Sequence, residues 1–162
     1  MCIRDRGYID EKRMAVAGGS YGGYLVSWIA TQTDRFACII NHAGVFDLLV
    51  QFGSDWTFGR PRSYGGNPWD NMDDVIRWSP AHNMEKYVTP TLVVHGELDY
   101  RVPVGNGLEA YGMLKRKGVP ARLIYFPDEN HWVLTPQNSI FWYGEFHGWL
   151  KRWIGVGPDG AW

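Results

Sequence analysis

An α/β fold built on a parallel sheet of about four strands, with helices flanking it, is what this chain predicts. Three observations carry that expectation. Four short, largely apolar runs recur along the sequence: Met14-Ala15-Val16-Ala17, Phe36-Ala37-Cys38-Ile39-Ile40, Thr91-Leu92-Val93-Val94-His95 and Ala121-Arg122-Leu123-Ile124-Tyr125-Phe126. Segments with apolar residues at helical spacing lie between them, and such alternation favours parallel pairing. The runs read as strands covered on both faces rather than as alternating, half-wet ones.

The elements follow in order. Residues 8–12 read as a helix end or loop, and 13–17 as the first strand. Residues 21–33 read as a helix, with Tyr24, Leu25, Trp28 and Ile29 at helical spacing. A buried strand covers 36–41. Residues 44–68 are an irregular, aromatic-rich excursion broken by Arg60-Pro61 and Gly65-Gly66-Asn67-Pro68. A short helix spans 70–78 and stops before Ser79-Pro80. Strand 91–95 precedes a helix over about 105–117, which ends at Gly118. Strand 121–126 leads into a loop and then into a last helix over about 136–154. There Trp142, Phe146, Trp149, Leu150 and Trp153 form a core-facing stripe. Neither an internal repeat nor a low-complexity segment interrupts this order.

Composition bounds the function. The chain has 162 residues, enough for one domain or part of one. It is 45% hydrophobic with nine tryptophans, which supports a packed core rather than disorder. Its formal net charge is −1, and its basic clusters, Lys115-Arg116-Lys117 and Lys151-Arg152, read as solvated helix ends; a nucleic-acid partner is not expected. No apolar stretch approaches the ~20 residues of a membrane span, and the start carries no signal peptide. The compartment is not set by the sequence, with the cytoplasm favoured. Two cysteines make no disulfide framework, and Cys38 reads as a buried thiol. No histidine pair has zinc-binding spacing, so neither a metal nor another cofactor is expected.

The informative motif is Gly18-Gly19-Ser20-Tyr21-Gly22-Gly23, directly behind the first strand. Glycine-rich turns are common, and a plain strand-to-helix turn is the bland reading. A phosphate-binding loop fails, because neither the required glycine spacing nor the lysine is present. A G-x-S-x-G turn between strand and helix can instead expose a serine hydroxyl on a strained backbone. Gly18 and Gly22 would then be the positions that must lack side chains, and Tyr21 would offer its backbone N–H to an oxyanion.

Two further loops complete a reactive set. Asp99 follows the third strand in a turn, and His131 follows the fourth. Ser20, Asp99 and His131 each fall past a strand's carboxyl end, where ligand sites form in open α/β sheets. Their chain order is that of α/β-hydrolases, so the sheet is expected to be part of that fold. Ser20 would be the nucleophile, His131 its general base and later acid, and Asp99 the group that orients the imidazole. Glu97, Asp128 and Glu129 are rival acids. Asp128 and Glu129 share the histidine loop and read as solvated, and Asp99 sits further into its turn than Glu97. His42, His82, His95 and His147 are read as structural.

On these residues the chain resembles the prolyl oligopeptidase family of serine peptidases. The carrying segments are Gly-Gly-Ser20-Tyr-Gly-Gly-Tyr, His-Gly-Glu-Leu-Asp99-Tyr-Arg-Val-Pro and Asp-Glu-Asn-His131-Trp, separated by 79 and 32 residues. The likeness runs from about Tyr8 to Ile154 and is greatest to the dipeptidyl-peptidase and acylaminoacyl-peptidase branches. The resemblance implies a peptide substrate. It also implies that Arg101 can bind a substrate backbone carbonyl, and that Tyr21 and Val102 wall the primary specificity pocket. Val45 and Leu48 are further pocket candidates, with ordinary packing as their alternative, and the pocket would be apolar.

The departures carry expectations too. Residues 1–7 do not look like the family and suggest an artefactual start; 8–154 would be the hydrolase part and 155–162 a tail. The family's propeller, its glutamates that hold a substrate N-terminus, four earlier strands and a second oxyanion donor are not matched. The first strand would then keep an unpaired edge, and the chain alone would be nearly or wholly inactive. An esterase on the same scaffold and a binding module that has lost chemistry are the alternatives. A homodimer through the last helix is left open.

Overall fold

The computed structural model describes residues 7–155. Four parallel strands pair in chain order: β1 (Ala15–Gly19), β2 (Cys38–His42), β3 (Thr91–Gly96) and β4 (Ala121–Phe126). Their crossovers are α1 (Tyr21–Gln32), the excursion with α2 (Leu48–Gln51), α3 (Arg60–Ser63) and α4 (Met72–Trp78), and α5 (Gly105–Arg116); α6 (Pro136–Ile154) follows β4. The expected boundaries at 7/8 and 154/155 fall at the margins of this region, and residues 1–6 and 156–162 lie outside the described residues.

Alternation along the strands splits the core between two faces. Ile39 and Val93 point to the side covered by α1 and α5, where they pack with Val26, Ala30, Leu114 and Tyr87. Cys38, Ile40, Leu92 and Val94 point to the side of α6 and meet Trp142 and Trp149. The aromatic stripe on α6 is thus core, as its spacing predicts. Burial pushes the Cys38 thiol up to about 11, which suits an inert packing residue.

Most boundaries match the sequence reading. β1 starts two residues later than expected and takes in both glycines. Glu11–Arg13 forms a 3-10 turn capped by Asp10, whose carboxylate accepts from the Lys12 N–H at 2.9 Å, and this delays the strand. Pairing with β2 then carries Gly18 and Gly19 opposite Asn41 and His42, overriding glycine's poor strand propensity. α4 ends at Trp78, and Ser79 after it is held extended because a proline follows. α5 gives way to Gly118 at φ +79, a conformation that favours glycine.

Parallel registers place the carboxyl ends of all four strands on one rim. The excursion crosses above that rim. It holds two short helices that the sequence reads as irregular chain, because four-residue helices leave no periodicity to detect. Asn106 on α5 ties it down, accepting the N–H groups of Phe46 at 2.9 Å and Asp47 at 3.0 Å.

Candidate active site

Ser20 sits between β1 and α1 with φ 58 and ψ −118, a left-handed conformation that a serine adopts only under constraint. The constraint is visible. The Ser20 N–H donates to the His42 carbonyl at 2.9 Å, and the Ser20 carbonyl already accepts the first helical bond, from Tyr24 at 3.1 Å. A side chain on Gly18 would run into the carbonyl group of Gly22. The expected requirement at Gly22 does not hold in the same way: a Cβ there would meet nothing within 4 Å. It is the Gly22 backbone that must be approached, and Gly18 that must do the approaching. Tyr21 opens α1, so its N–H lies at the positive end of the helix.

Asp99 lies in the turn after β3 and is 2% exposed. Its Oδ1 accepts two backbone N–H groups, from Arg101 at 3.0 Å and Val102 at 2.8 Å. Its Oδ2 accepts from His131 Nδ1 at 2.7 Å. Burial works to raise the carboxyl's pKa. The hydrogen bonds from His131, His95 and Val102, together with the His131 charge, outweigh it and hold Asp99 far below the usual carboxylate range. With Nδ1 committed to Asp99, Nε2 of His131 is the nitrogen left to serve the cleft. Ser20 and His131 line the same cleft, of about 730 Å³.

The loop that carries His131 is built by Glu129, which reads from sequence as solvated. The structure corrects this: Glu129 is 3% exposed. Its carboxylate accepts the N–H groups of Leu134 and Thr135, both at 2.9 Å, and Asn138 Nδ2 at 2.8 Å, at the start of α6. Burial again opposes ionisation, and these donors win, drawing the carboxyl down to about 2. A buried anion at a helix N-terminus is well placed electrostatically. Gly96 lets the loop lie on the acid turn, since a Cβ there would strike the carbonyl oxygens of Glu129 and Asn130. Asp128 is exposed as expected, and the other rival, Glu97, is exposed too.

Arg101, Val102, Val45 and Tyr21 also line the cleft. Arg101 is paired: its Nε reaches Asp55 Oδ1 at 2.8 Å, and its Nη2 reaches Oδ2 at 3.4 Å. A second guanidinium, Arg60, is 8% exposed. It stacks over Trp56 at 5.2 Å and donates to Ser54 Oγ at 3.0 Å and to the Arg101 carbonyl at 3.2 Å. Gln51 Nε2 donates to the same carbonyl at 2.7 Å, and the Asp55 N–H to the Tyr100 carbonyl at 2.7 Å. The excursion therefore grips the acid turn at four points, counting the Arg101–Asp55 pair. Sequence offered no signal for this, because the partners lie far apart in the chain.

A smaller cavity of about 370 Å³ opens beside Tyr21. Val45 and Leu48 both line it and both pack into a cluster with Val75 and Val102, so packing and wall are the same role here. Asp74 and Ser63 share its lining, so this cavity is not the wholly apolar pocket that the sequence suggests. His95 and His42, read as structural, stand close to the acid. Burial first, then the neighbouring His95 and His131, bring His42 down to about 4. Among the described residues no group of three His, Cys, Asp or Glu is placed to hold a metal, and no helix is long and apolar enough to cross a membrane.

Known proteins share this chain's sequence and fold. A profile of the prolyl oligopeptidase family matches residues 2–157. The probable dipeptidyl-peptidase 5 of Emericella nidulans is 36% identical over 97% of this chain, and that of Porphyromonas endodontalis, a dipeptidyl-peptidase 5, is 38% identical over 94%. This chain spans 22% and 23% of their lengths. The uncomplexed acylaminoacyl peptidase of Pyrococcus horikoshii superposes with a TM-score of 0.88 and 27% identity, over 98% of this chain and 27% of that one. An acylaminoacyl peptidase in complex with Z-Gly-Gly-Phe-chloromethyl ketone gives the same score and identity. The profile match over nearly the whole chain, with the fold alongside it, therefore makes this chain a member of the prolyl oligopeptidase family.

Proposed function

We propose that this chain carries the reacting groups of a serine peptidase that cleaves short peptides, of dipeptidyl- or acylaminoacyl-peptidase type, through an acyl-enzyme. The observation that carries the reading is a serine on a strained turn that shares one cleft with an imidazole whose Nδ1 is bonded to a buried carboxylate. His131 Nε2 takes the proton as Ser20 Oγ attacks the scissile carbonyl carbon. Asp99 stays ionised and stabilises the imidazolium. The Tyr21 N–H receives the developing oxyanion. Collapse expels the amine, which takes the proton from His131 and leaves an ester on Ser20. Water, deprotonated by His131, then releases the acid and restores the serine. Arg101 would turn from Asp55 to a substrate carbonyl, and the cavity lined by Val45, Leu48 and Tyr21, with Val102 in the cluster packed behind that wall, would take the side chain before the cleaved bond.

The test is covalent labelling with a fluorophosphonate. Slow labelling that Ser20→Ala abolishes is expected, with peptide p-nitroanilides cleaved more weakly still. Equal labelling of Ser20→Ala would place the nucleophile elsewhere and end the proposal. Turnover of p-nitrophenyl esters with no cleavage of any peptide by a full-length form would instead identify an esterase. Labelling as fast as in a full-length relative would overturn the expected slow rate.

A further inference from the structure

His95 is the penultimate residue of β3 and is 1% exposed. Its Nε2 lies 2.7 Å from the Val102 carbonyl oxygen and 3.4 Å from Asp99 Oδ2. A carbonyl has no proton to give, so Nε2 is the donor. Nδ1 has no hydrogen-bond partner and faces Gly107, where even a methyl group would come within 2.6 Å of it. A proton on Nδ1 would be a buried donor with nothing to accept it. The ring is thus held with its N–H directed at the acid turn.

Asp99 Oδ1 is fully used by two backbone N–H groups. Oδ2 is left to two imidazoles, one from each side. We propose that His95 is a positioning residue for the acid: its Nε2–H, whose first acceptor is the Val102 carbonyl, also leans on Oδ2 at 3.4 Å, keeps that oxygen in line with His131 and draws off part of the carboxylate's charge, which sets how firmly Asp99 retains the His131 imidazolium. The proposal rests on the reading of His131 as the base. It assigns a role to a histidine that touches neither substrate nor nucleophile.

The other charged and titratable groups near the acid are His42 at the end of β2, His131 after β4, and the Arg101–Asp55 pair. None of them takes the place of His95 beside Oδ2: His131 and Arg101 are committed to their own partners, Asp55 is an acceptor bound to Arg101, and His42 makes no ion pair with Asp99.

His95→Phe keeps a planar ring and removes the donor. His95→Gln restores an N–H at the reach of Nε2, whereas His95→Asn reaches only as far as Nδ1. The experiment follows His131 across pH by long-range ¹H–¹⁵N spectra of its imidazole in this chain, which needs no turnover. In the Phe variant the His131 titration is expected to move to higher pH by about half a unit or more, the scale of one weakened charge-assisted hydrogen bond. Gln is expected to restore the wild-type curve and Asn is not. If all three variants titrate as wild type while only their melting temperatures fall, His95 merely closes the turn and the proposal is wrong. Should the Phe variant not fold, Gln against Asn decides: equal curves overturn the proposal. Absent fluorophosphonate labelling with the shift intact would sink the peptidase reading alone.

Discussion

Asp99→Asn would change one oxygen to an amide nitrogen, and the structure dictates where that nitrogen goes. At the Oδ1 position it would face two backbone N–H groups at 2.8 and 3.0 Å, both fixed by the turn. At the Oδ2 position it would face one firm donor, His131 Nδ1 at 2.7 Å, and one weaker donor at 3.4 Å. Imidazole can move its proton to the other nitrogen; a peptide cannot. The amide nitrogen therefore turns toward His131, which accepts at Nδ1 and carries its hydrogen on Nε2. A protonated Nε2 cannot take a proton from Ser20. This wrong-tautomer effect lowers turnover by ~10⁴ in serine proteases, or about 5 kcal/mol of transition-state stabilisation. The assay is the second-order rate of Ser20 fluorophosphonate labelling, with imidazole ¹⁵N shifts reporting the tautomer. Labelling within tenfold of wild type, or a proton still on Nδ1, would refute the reasoning.

Other outcomes follow from the same contacts. Gly18→Ala should destabilise the fold by ~3 kcal/mol, at the upper end of overpacking, in a thermal or urea melt, while Gly22→Ala, whose new methyl meets nothing, should melt close to wild type. Glu129→Gln should lower the melting temperature at neutral pH. Because the Glu129 pKa is depressed, its contribution is present above the ordinary value of 4.5 and lost as pH falls toward about 2, so the two melting curves should converge in acid. Asp55→Ala should hardly move the melting temperature, since exposed ion pairs add little. Arg101→Ala should raise KM for peptides in a full-length form and leave simple p-nitrophenyl esters unaffected; equal effects on both would remove Arg101 from substrate binding.

The strands and longer helices are legible because each is a local pattern: apolar runs of strand length, helical spacing, and Gly or Pro at the ends. The β1 start is displaced because a three-residue turn with its own cap competes for Arg13, a contest settled by one Asp10 hydrogen bond. Ser20, Asp99 and His131 are legible because each follows a strand and their order is restrictive. Glu129 is misjudged because its donors lie five to nine residues onward, at a helix start that spacing alone does not aim back at the loop. A clue to His95 exists: it is a titratable residue near the end of a wholly buried strand, four positions before the acid. Arg60 and Gln51 leave no such trace, since their shared acceptor, the Arg101 carbonyl, is some forty to fifty residues away.

The stretch that shapes the small cavity is also the stretch that clamps the acid's turn. Selectivity and rate are therefore not separable modules here. Grafting a relative's residues 45–64 to recruit a new side-chain preference would discard Gln51, Asp55 and Arg60 together, and the carboxylate's aim with them. A graft that keeps those three while varying Val45, Leu48 and Ser63 is the arrangement that lets preference drift without blunting the chemistry.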